Sequence, residues 1–329
     1  MESYYLFSNG ELKRKDNVIR LERPDGKYKD LKIELTRDIY LFGEVTLNTK
    51  CLNYLSEKKI PLHLFNYYGF YTGTFYPREK NVSGQLLIQQ VDAYTSFDRR
   101  LELARKFVLG ATGNILRNLK YYNRRERDLS EEISMITSLQ KDIFRETNIE
   151  NLMGIEGQIH KIYYESWHKI FLDNVDFSKR VRRPPDNMVN TLISFLNMMV
   201  YSTCLSEIYV TQLNPTISYL HAATERRFSL CLDISEIFKP LLTDRIIFSL
   251  INKKIVQEKD FESGSNCCYM KPKTIKIVTQ YFDDYLKNTI LHRDLHKHVS
   301  YRRLIRLECY KLIKDLMLEK EYKPFKIWW

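Results

Sequence analysis

The chain has 329 residues, of which 44% are hydrophobic and only 11 are glycine and 9 proline, a composition that supports about two folded domains and excludes a disordered protein. Its 52 lysines and arginines exceed its 41 acidic residues to give a net charge of +11, which favours a polyanionic partner, nucleic acid ahead of an anionic membrane surface. The six cysteines form no C-x-x-C pair and the N-terminus has no signal-peptide pattern, so we expect a cytoplasmic protein with reduced thiols, no thiolate zinc site and no membrane span.

The first eighty residues predict β-strands. The segments SYYLF and NVIRLE flank turn chemistry at Asn9-Gly10, and PDG at 24–26 marks a second turn before DLKIEL. The segments DIYLFGEV, IPLHLF and FYTGTFY continue this pattern and are rich in β-branched and aromatic residues. One short helix, at about 47–57, interrupts the strands. We therefore predict a small, mostly-β N-terminal domain at 1–83.

The remainder of the chain predicts helices. Apolar residues recur at helical spacing in seven segments, at 86–122, 127–147, 149–173, 187–210, 215–224, 232–257 and 273–318. The predicted fold class is therefore α+β: the β domain is followed by a larger all-α catalytic domain at 84–329.

Glu156 lies on the apolar stripe of the predicted helix 149–173, at helical offsets from Leu152 and Tyr163. A carboxylate on a core-facing stripe costs free energy unless it is paired or coordinates a cation. The alternative is a glutamate on the solvent face, and the stripe argues against it.

Three more ionisable residues follow on apolar faces. His221 shares a face of the predicted helix 215–224 with Ile217 and Leu220, at i, i+3 and i+4, although a lone histidine there is more often a core residue than a ligand. Asp233 lies on the stripe of the next helix, with Glu236 one turn later. A cap at Asp233 and a solvated Glu236 are the alternatives. Two nearby carboxylates raise each other's pKa unless a cation lies between them, and a thiolate-free, carboxylate-rich site suits Mg²⁺ or Mn²⁺.

Basic residues are close to these segments in the sequence. A divalent cation beside arginines fits phosphodiester chemistry better than acid–base work on a small metabolite, although basic runs are usually solvated faces. The candidate phosphate-binding residues are Arg182 and Arg183 in KRVRRPP, Lys239 and Arg245, with Arg226 and Arg227 nearby.

Four ordered segments resemble the CRISPR-associated integrase family, the Cas-one proteins of spacer acquisition. These segments are GIEG, RVRRPPDNMVNTLISF, LNPTISYLHA and LCLDISEIFKP. The strand-rich stretch from DIYLFGEV to FYPRE resembles the β domain of that family, and SYRRLIRLECYKLIKDLMLEKEYKPFKIWW resembles the ending of members that accompany type I-B systems. The similarity covers essentially the whole chain.

The resemblance implies a metal-dependent DNA endonuclease and integrase, in which a DNA 3′-hydroxyl attacks a phosphodiester and joins spacer to repeat. It implies that Glu156, His221 and Glu236 ligate the metal, with Asp233 in support. Many relatives have aspartate where Glu236 stands, which keeps a carboxylate, and arginine where Lys239 stands, so bidentate phosphate binding is lost here.

The resemblance also implies partners. These are a second copy of the chain joined through the β domain, the small second CRISPR-associated protein, and double-stranded prespacer and repeat DNA. A hydrolytic nuclease with the same metal and a non-catalytic DNA-binding scaffold remain the alternatives.

The segment HRDLHKH contains His292, His296 and His298. The first two are spaced i, i+4 and could bind a transition metal, but the flanking charges and the lack of apolar periodicity favour a solvated turn. The sequence has no G-x-G-x-x-G or G-x-x-x-x-G-K-[ST] phosphate loop, so we expect no nucleotide cofactor.

Overall fold

The computed structural model describes residues 1–79, 81–182, 184–223, 228–264 and 267–329. Strands dominate the N-terminal part and helices the rest, which confirms the predicted α+β class. The chain forms two compact units. The smaller comprises Met1–Asn81 and Met270–Asp283, and the larger comprises Val82–Tyr269 and Asp284–Trp329.

The smaller unit holds two four-stranded sheets, with strand orders β1-β5-β7-β8 and β4-β3-β2-β6. Its core is formed by apolar side chains that alternate along the strands, including the fully buried Leu12, Ile19 and Ile39. The elements are β1 (Glu2–Leu6), β2 (Gly10–Lys15), β3 (Val18–Glu22), β4 (Tyr28–Lys32), β5 (Thr36–Leu41), β6 (Val45–Leu47), α1 (Thr49–Lys58), β7 (Leu62–Phe65) and β8 (Tyr71–Phe75).

The turn predicted at Asn9-Gly10 is wrong, because Gly10 begins β2. The tight turn lies at Asp16 and Asn17, since Lys15 pairs with Val18 across the β2–β3 hairpin and Asp16 has a φ of 52°. Gly10 has a different role. Its φ is 152°, and a Cβ there would lie 2.1 Å from the carbonyl oxygen of Glu22, so the close approach of two backbones requires glycine.

The larger unit is built around the 27-residue helix α3, which packs against α2, α4, α5 and α8. Its helices are α2 (Gly84–Thr95), α3 (Phe97–Asn123), α4 (Ser130–Asp142), α5 (Ile149–Glu165), α6 (Trp167–Ile170), α7 (Met188–Tyr209), α8 (Ser229–Lys239) and α9 (Arg245–Asn252). A π-helical turn, Pro240–Asp244, joins α8 to α9. The later elements of the chain are β9 (Phe261–Ser263), β10 (Cys268–Met270), α10 (Pro272–Lys287), β11 (Thr289–His292), β12 (Lys297–Ser300) and α11 (Tyr301–Leu316).

Among the described residues, α7 is the one helix with the length and hydropathy of a membrane span, and 78% of its apolar window is buried inside the protein. It packs against α8 and α11, as the core helix of a folded unit does.

Two predicted helices are wrong. Residues 215–223 form turns, because the backbone N–H groups of Tyr219, Leu220 and His221 donate to the Asp233 carboxylate instead of to carbonyls one helical turn earlier. The segment 273–318 is interrupted by the β11–β12 hairpin, whose turn includes His296 at a φ of 50°.

Candidate metal centre

Helix α5 brings Glu156 and His160 together one turn apart. The helix begins after Asn148, whose side-chain oxygen accepts a hydrogen bond from the Asn151 N–H at 2.8 Å. His160 Nε2 lies 3.0 Å from Glu156 Oε1, the i, i+4 spacing at which helical side chains meet.

Helix α8 adds Glu236 to this pair. Its Oε2 lies 3.7 Å from His160 Nε2, and its Oε1 forms an ion pair with Lys239. One ligand atom each from Glu156, His160 and Glu236 lie within 4.8 Å of one another. The structure thus brings together two of the three predicted ligands, with an unpredicted histidine between them.

Asp233 organises the turn that carries His221. Its Oδ2 accepts hydrogen bonds from the N–H groups of Tyr219 at 2.6 Å and Leu220 at 3.0 Å. Its Oδ1 lies 3.1 Å from the His221 N–H and 2.8 Å from His221 Nδ1. The alternative in which Asp233 caps its own helix is wrong, because α8 begins at Ser229. With Nδ1 engaged, Nε2 is the ring nitrogen of His221 that can serve as a ligand.

The electrostatics of the cluster favour a cation between the carboxylates. Burial alone would raise the pKa of Glu156, but His160, followed by Lys239 and His221, lowers it to about 2. Burial would lower the pKa of His160, but the charges of Glu156 and Glu236 raise it above its ordinary value. The pKa of His221 is likewise raised, because its contact with Asp233 outweighs burial.

The residues present fit a hard divalent metal. Carboxylate oxygens and imidazole nitrogens without thiolates suit Mg²⁺ or Mn²⁺. The charges of His221 and of the two carboxylates act on one another, but the third predicted ligand is not among the three residues whose ligand atoms lie within 4.8 Å. His160 Nδ1 is buried and has no hydrogen-bond partner among the described residues, whereas the Nδ1 of His221 is held by Asp233.

A buried network behind the cluster joins its supporting helices. The Tyr163 hydroxyl donates to Asp244 Oδ2 at 3.0 Å and accepts from Asn118 Nδ2 at 3.1 Å. Asn118 Nδ2 also donates to the Pro240 carbonyl at 2.8 Å, and Asn118 Oδ1 accepts from Arg245 Nε at 2.8 Å. Burial raises the pKa of Asp244 to about 7.

The four candidate phosphate-binding residues have different surroundings. Arg182 is exposed, Lys239 is paired with Glu236, and Arg245 donates to Asn118. Arg183 lies outside the described residues, as do the neighbouring Arg226 and Arg227.

The histidines of HRDLHKH lie on the β11–β12 hairpin, where His296 and His298 are exposed. His292 Nδ1 accepts hydrogen bonds from the N–H groups of Asp294 at 3.2 Å and Leu295 at 3.3 Å. The Nδ1 of His292 is therefore used within the turn, which leaves Nε2 as the ring nitrogen that faces other contacts.

Sequence reasoning missed His160, Tyr163 and Asp244 as members of this site. The signal for His160 was its position four residues after Glu156. For Asp244 there was no local signal, because its partner Tyr163 lies 81 residues earlier in the chain.

Residues 4–284 match the family model described as CRISPR associated protein Cas1. The chain is 53% identical to the CRISPR-associated endonuclease Cas1 of Fusobacterium nucleatum subsp. nucleatum over 99% of this chain and 97% of the relative. A solved CAS1 protein from Thermotoga maritima has a TM-score of 0.90 at 40% identity, covering 99% of this chain and 100% of that one. A casposase bound to its integration product shares the fold, with a TM-score of 0.88 at 19% identity, covering 98% of this chain and 93% of that one.

Proposed function

The chain belongs to the Cas1 family of CRISPR-associated proteins, and on this basis we propose that it is a divalent-metal-dependent DNA endonuclease and integrase of CRISPR adaptation. In the proposed reaction, a spacer 3′-hydroxyl attacks a phosphorus atom of the repeat. A P–O bond forms to the spacer 3′-oxygen as the P–O bond to the repeat 3′-oxygen breaks. The proton lost by the attacking hydroxyl is balanced by the proton taken up by the leaving oxygen.

The observation that carries this proposal is the convergence of Glu156 on α5 and Glu236 on α8, whose ligand atoms lie within 4.8 Å of each other and of His160. Glu156, His221 and Glu236 would hold the metal. A bound Mg²⁺ or Mn²⁺ would polarise the scissile phosphate and lower the pKa of the attacking hydroxyl. Asp233 fixes His221 in the tautomer that presents Nε2, since its Oδ1 accepts a hydrogen bond from Nδ1–H.

His160 acts in the proposal as a hydrogen-bond donor that keeps the two carboxylates together before the metal binds. Its raised pKa favours the protonated ring, and its Nε2 faces both carboxylates. It differs from a typical metal-binding histidine, because its other nitrogen has no partner among the described residues. Lys239, on the other side of Glu236, can turn to a phosphate once the metal takes its place.

The proposed partners follow from family membership and from the charge of +11. They are double-stranded prespacer and repeat DNA, the small second CRISPR-associated protein, and a second copy of this chain joined through the β domain at 1–83. The casposase with the same fold is bound to its integration product, which supports DNA strand transfer as the reaction to test.

The decisive experiment is a strand-transfer assay with labelled DNA of defined ends, with and without Mg²⁺ or Mn²⁺. Glu156→Ala and His221→Ala should each reduce transfer to below about 1% of the parent rate, because even loss of a residue behind the ligands costs 10–100-fold. Glu150→Ala, at an exposed acid in the first turn of α5, is the matched control and should keep full activity.

The products separate the alternatives. Metal-dependent cleavage without joined strands would identify a hydrolytic nuclease, and DNA binding without any metal-dependent reaction would identify a scaffold. Near-normal transfer by either ligand variant would refute the metal centre.

A further inference from the structure

The C-terminal end of α3 carries an unusual concentration of positive charge. Five cations and one carboxylate, Glu126, lie within eleven residues, a large share of the chain's surplus. Among the described residues, no carboxylate forms an ion pair with any of the five cations. We call this group the α3 cationic end, and its members are Arg117, Lys120, Arg124, Arg125 and Arg127.

Unpaired cations are not the rule in the larger unit. Lys169 pairs with Glu132 at 2.6 Å, and Arg302 pairs with Glu207 at 2.6 Å. The negative end of a helix dipole favours cations, but only within the last turn. It therefore accounts for Lys120, which lies in the last turn of α3, and Arg117 donates to the backbone oxygen of Trp329 at 3.3 Å, but the loop residue Arg127 has neither explanation. Like charges this close repel one another unless a polyanion neutralises them.

The side chains of the α3 cationic end form a solvent-exposed surface whose N–H groups are available to a ligand. Lys120, Arg124 and Arg125 are exposed. The guanidinium of Arg125 lies 4.4 Å from the ring centre of Tyr121, which is itself 45% exposed. A cation–π contact orients a guanidinium without neutralising its charge, so Arg125 is held in place while its N–H groups remain available for phosphate oxygens.

The buried face of the same helix end is fixed to both ligand-bearing helices. Asn118 donates to Tyr163 on α5 and to the carbonyl of Pro240, which follows α8. Tyr163 lies seven residues after Glu156, about 10 Å along the helix at 1.5 Å per residue. The end of α3 is therefore joined through Asn118 to the helix that carries Glu156 and to the segment that follows the helix carrying Glu236.

We propose that the α3 cationic end binds the phosphate backbone of the double-stranded DNA that reacts at the metal centre. This inference rests on the proposed function, because it assumes that the cluster on α5 and α8 is where DNA reacts. Arginines and lysines that contact phosphates hold DNA in register without reading its sequence, so binding at this surface is independent of sequence.

The test is the salt dependence of duplex binding, measured by fluorescence anisotropy with a labelled duplex of random sequence. Each phosphate contact adds about one unit to the slope of log affinity against log salt. The triple variant Lys120→Gln, Arg124→Gln, Arg125→Gln should lower that slope by about 2–3 and weaken binding on every sequence alike.

The matched control removes three positive charges from the C-terminal part of the chain, which packs against the first half of α3. Lys314, Lys320 and Lys323 are exposed and lie by the segment where Tyr322 packs against Phe107, with ring centres 5.6 Å apart. The control variant Lys314→Gln, Lys320→Gln, Lys323→Gln should leave the slope within about 0.5 of the parent value, because it removes no phosphate contact.

Mn²⁺ affinity of the first triple variant should equal that of the parent, which would show that its metal centre is intact. Equal slopes for the two triple variants, or a loss seen with a single-stranded oligonucleotide and not with the duplex, would overturn the inference. If the parent performs metal-dependent strand transfer, those results leave the proposed function standing. A parent that binds no duplex at all refutes both. Should the triple variant unfold, the single variant Arg124→Gln carries the test, with an expected slope change of about 1.

Discussion

Asp244 allows a quantitative prediction, because its carboxyl is only 3% exposed and burial raises its pKa to about 7 from an ordinary 3.8. The folded protein therefore prefers the protonated form. The stability this form contributes is fully present below about pH 4 and is lost as the pH rises through 7. The difference between a pKa of 3.8 and one of about 7 corresponds to about 4 kcal/mol of unfolding free energy. This is large beside the 5–15 kcal/mol that separates most folded domains from the unfolded state.

Asp244→Asn tests this value. The amide has the shape of the acid, can accept the hydrogen bond of Tyr163 and does not ionise. We expect the variant to exceed the parent in unfolding free energy by only about 1 kcal/mol at pH 4.5 and by up to about 4 kcal/mol at pH 8.

Urea unfolding in metal-free buffer, followed by tryptophan fluorescence, is the appropriate assay. All three tryptophans, Trp167, Trp328 and Trp329, lie in the larger unit, so the signal reports that unit alone even if the two units unfold separately.

Tyr163→Phe is the companion variant. The Tyr163 hydrogen bond lowers the pKa of Asp244, so the cost of losing it should grow with pH. The reasoning would be wrong if the unfolding free energies of the parent and of Asp244→Asn changed in parallel from pH 4.5 to 8. That result would mean that Asp244 is ionised in the folded protein and that its charge is fully stabilised by its neighbours.

Three further predictions follow from the candidate metal centre and the proposed assembly. His160→Gln removes the main group that lowers the pKa of Glu156, so the metal-free variant should have a melting temperature about 2–8 °C lower, and Mn²⁺ should restore most of that loss. Weaker Mn²⁺ binding of the variant by calorimetry would instead make His160 a ligand. Glu236→Gln should lower Mn²⁺ affinity more than Asp233→Asn, and Asp233→Asn should lower the melting temperature more; the reverse order of affinities would exchange their roles. The full chain of 39.5 kDa should sediment as a dimer, and a monomer at every concentration would contradict the proposed interface.

The elements that the sequence predicts well are those whose pattern is set by burial of one face. Strands such as β3 and helices such as α5 bury one side along their whole length, so alternation and helical spacing are visible in the sequence. The helix predicted at 215–224 is wrong, although its spacing suggested a buried face. Its Asn-Pro start fits a helix locally, but three of its N–H groups bond to Asp233, which is 12–14 residues later. A tertiary contact overrides the local preference there.

The prediction of a continuous helix at 273–318 is wrong for a different reason, because the β11–β12 hairpin separates α10 from α11. Apolar spacing continues on both sides of it, and no glycine or proline marks the turn between His292 and Lys297. His296 takes the positive φ instead, which non-glycine residues adopt at some cost. The boundary is then visible only at Ser300, whose hydroxyl accepts the Arg303 N–H at 3.1 Å and so caps α11.

The candidate site shows the same division between local and tertiary information. Ionisable residues on apolar stripes pointed to Glu156 and Glu236, because such residues are costly without a partner. His160 was missed although its position one turn after Glu156 on the same helix was a local signal. Asp244 could not be found from the sequence, because its raised pKa is produced by burial against residues from distant segments.

The sequence leaves the choice between Asp233 and Glu236 as the proposed ligand nearly even, and hydrogen-bond capacity favours Glu236. A carboxylate offers about four lone-pair sites. Asp233 uses four, for three backbone N–H groups and His221 Nδ1, and it is fully buried, so a metal could bind it only by breaking the turn that presents His221. The neighbours of Glu236 are the side chains of Lys239 and His160, two cations that a divalent metal can replace without disturbing the backbone. Glu236 is therefore the carboxylate of α8 that can exchange partners, and Asp233 is the one that must keep them.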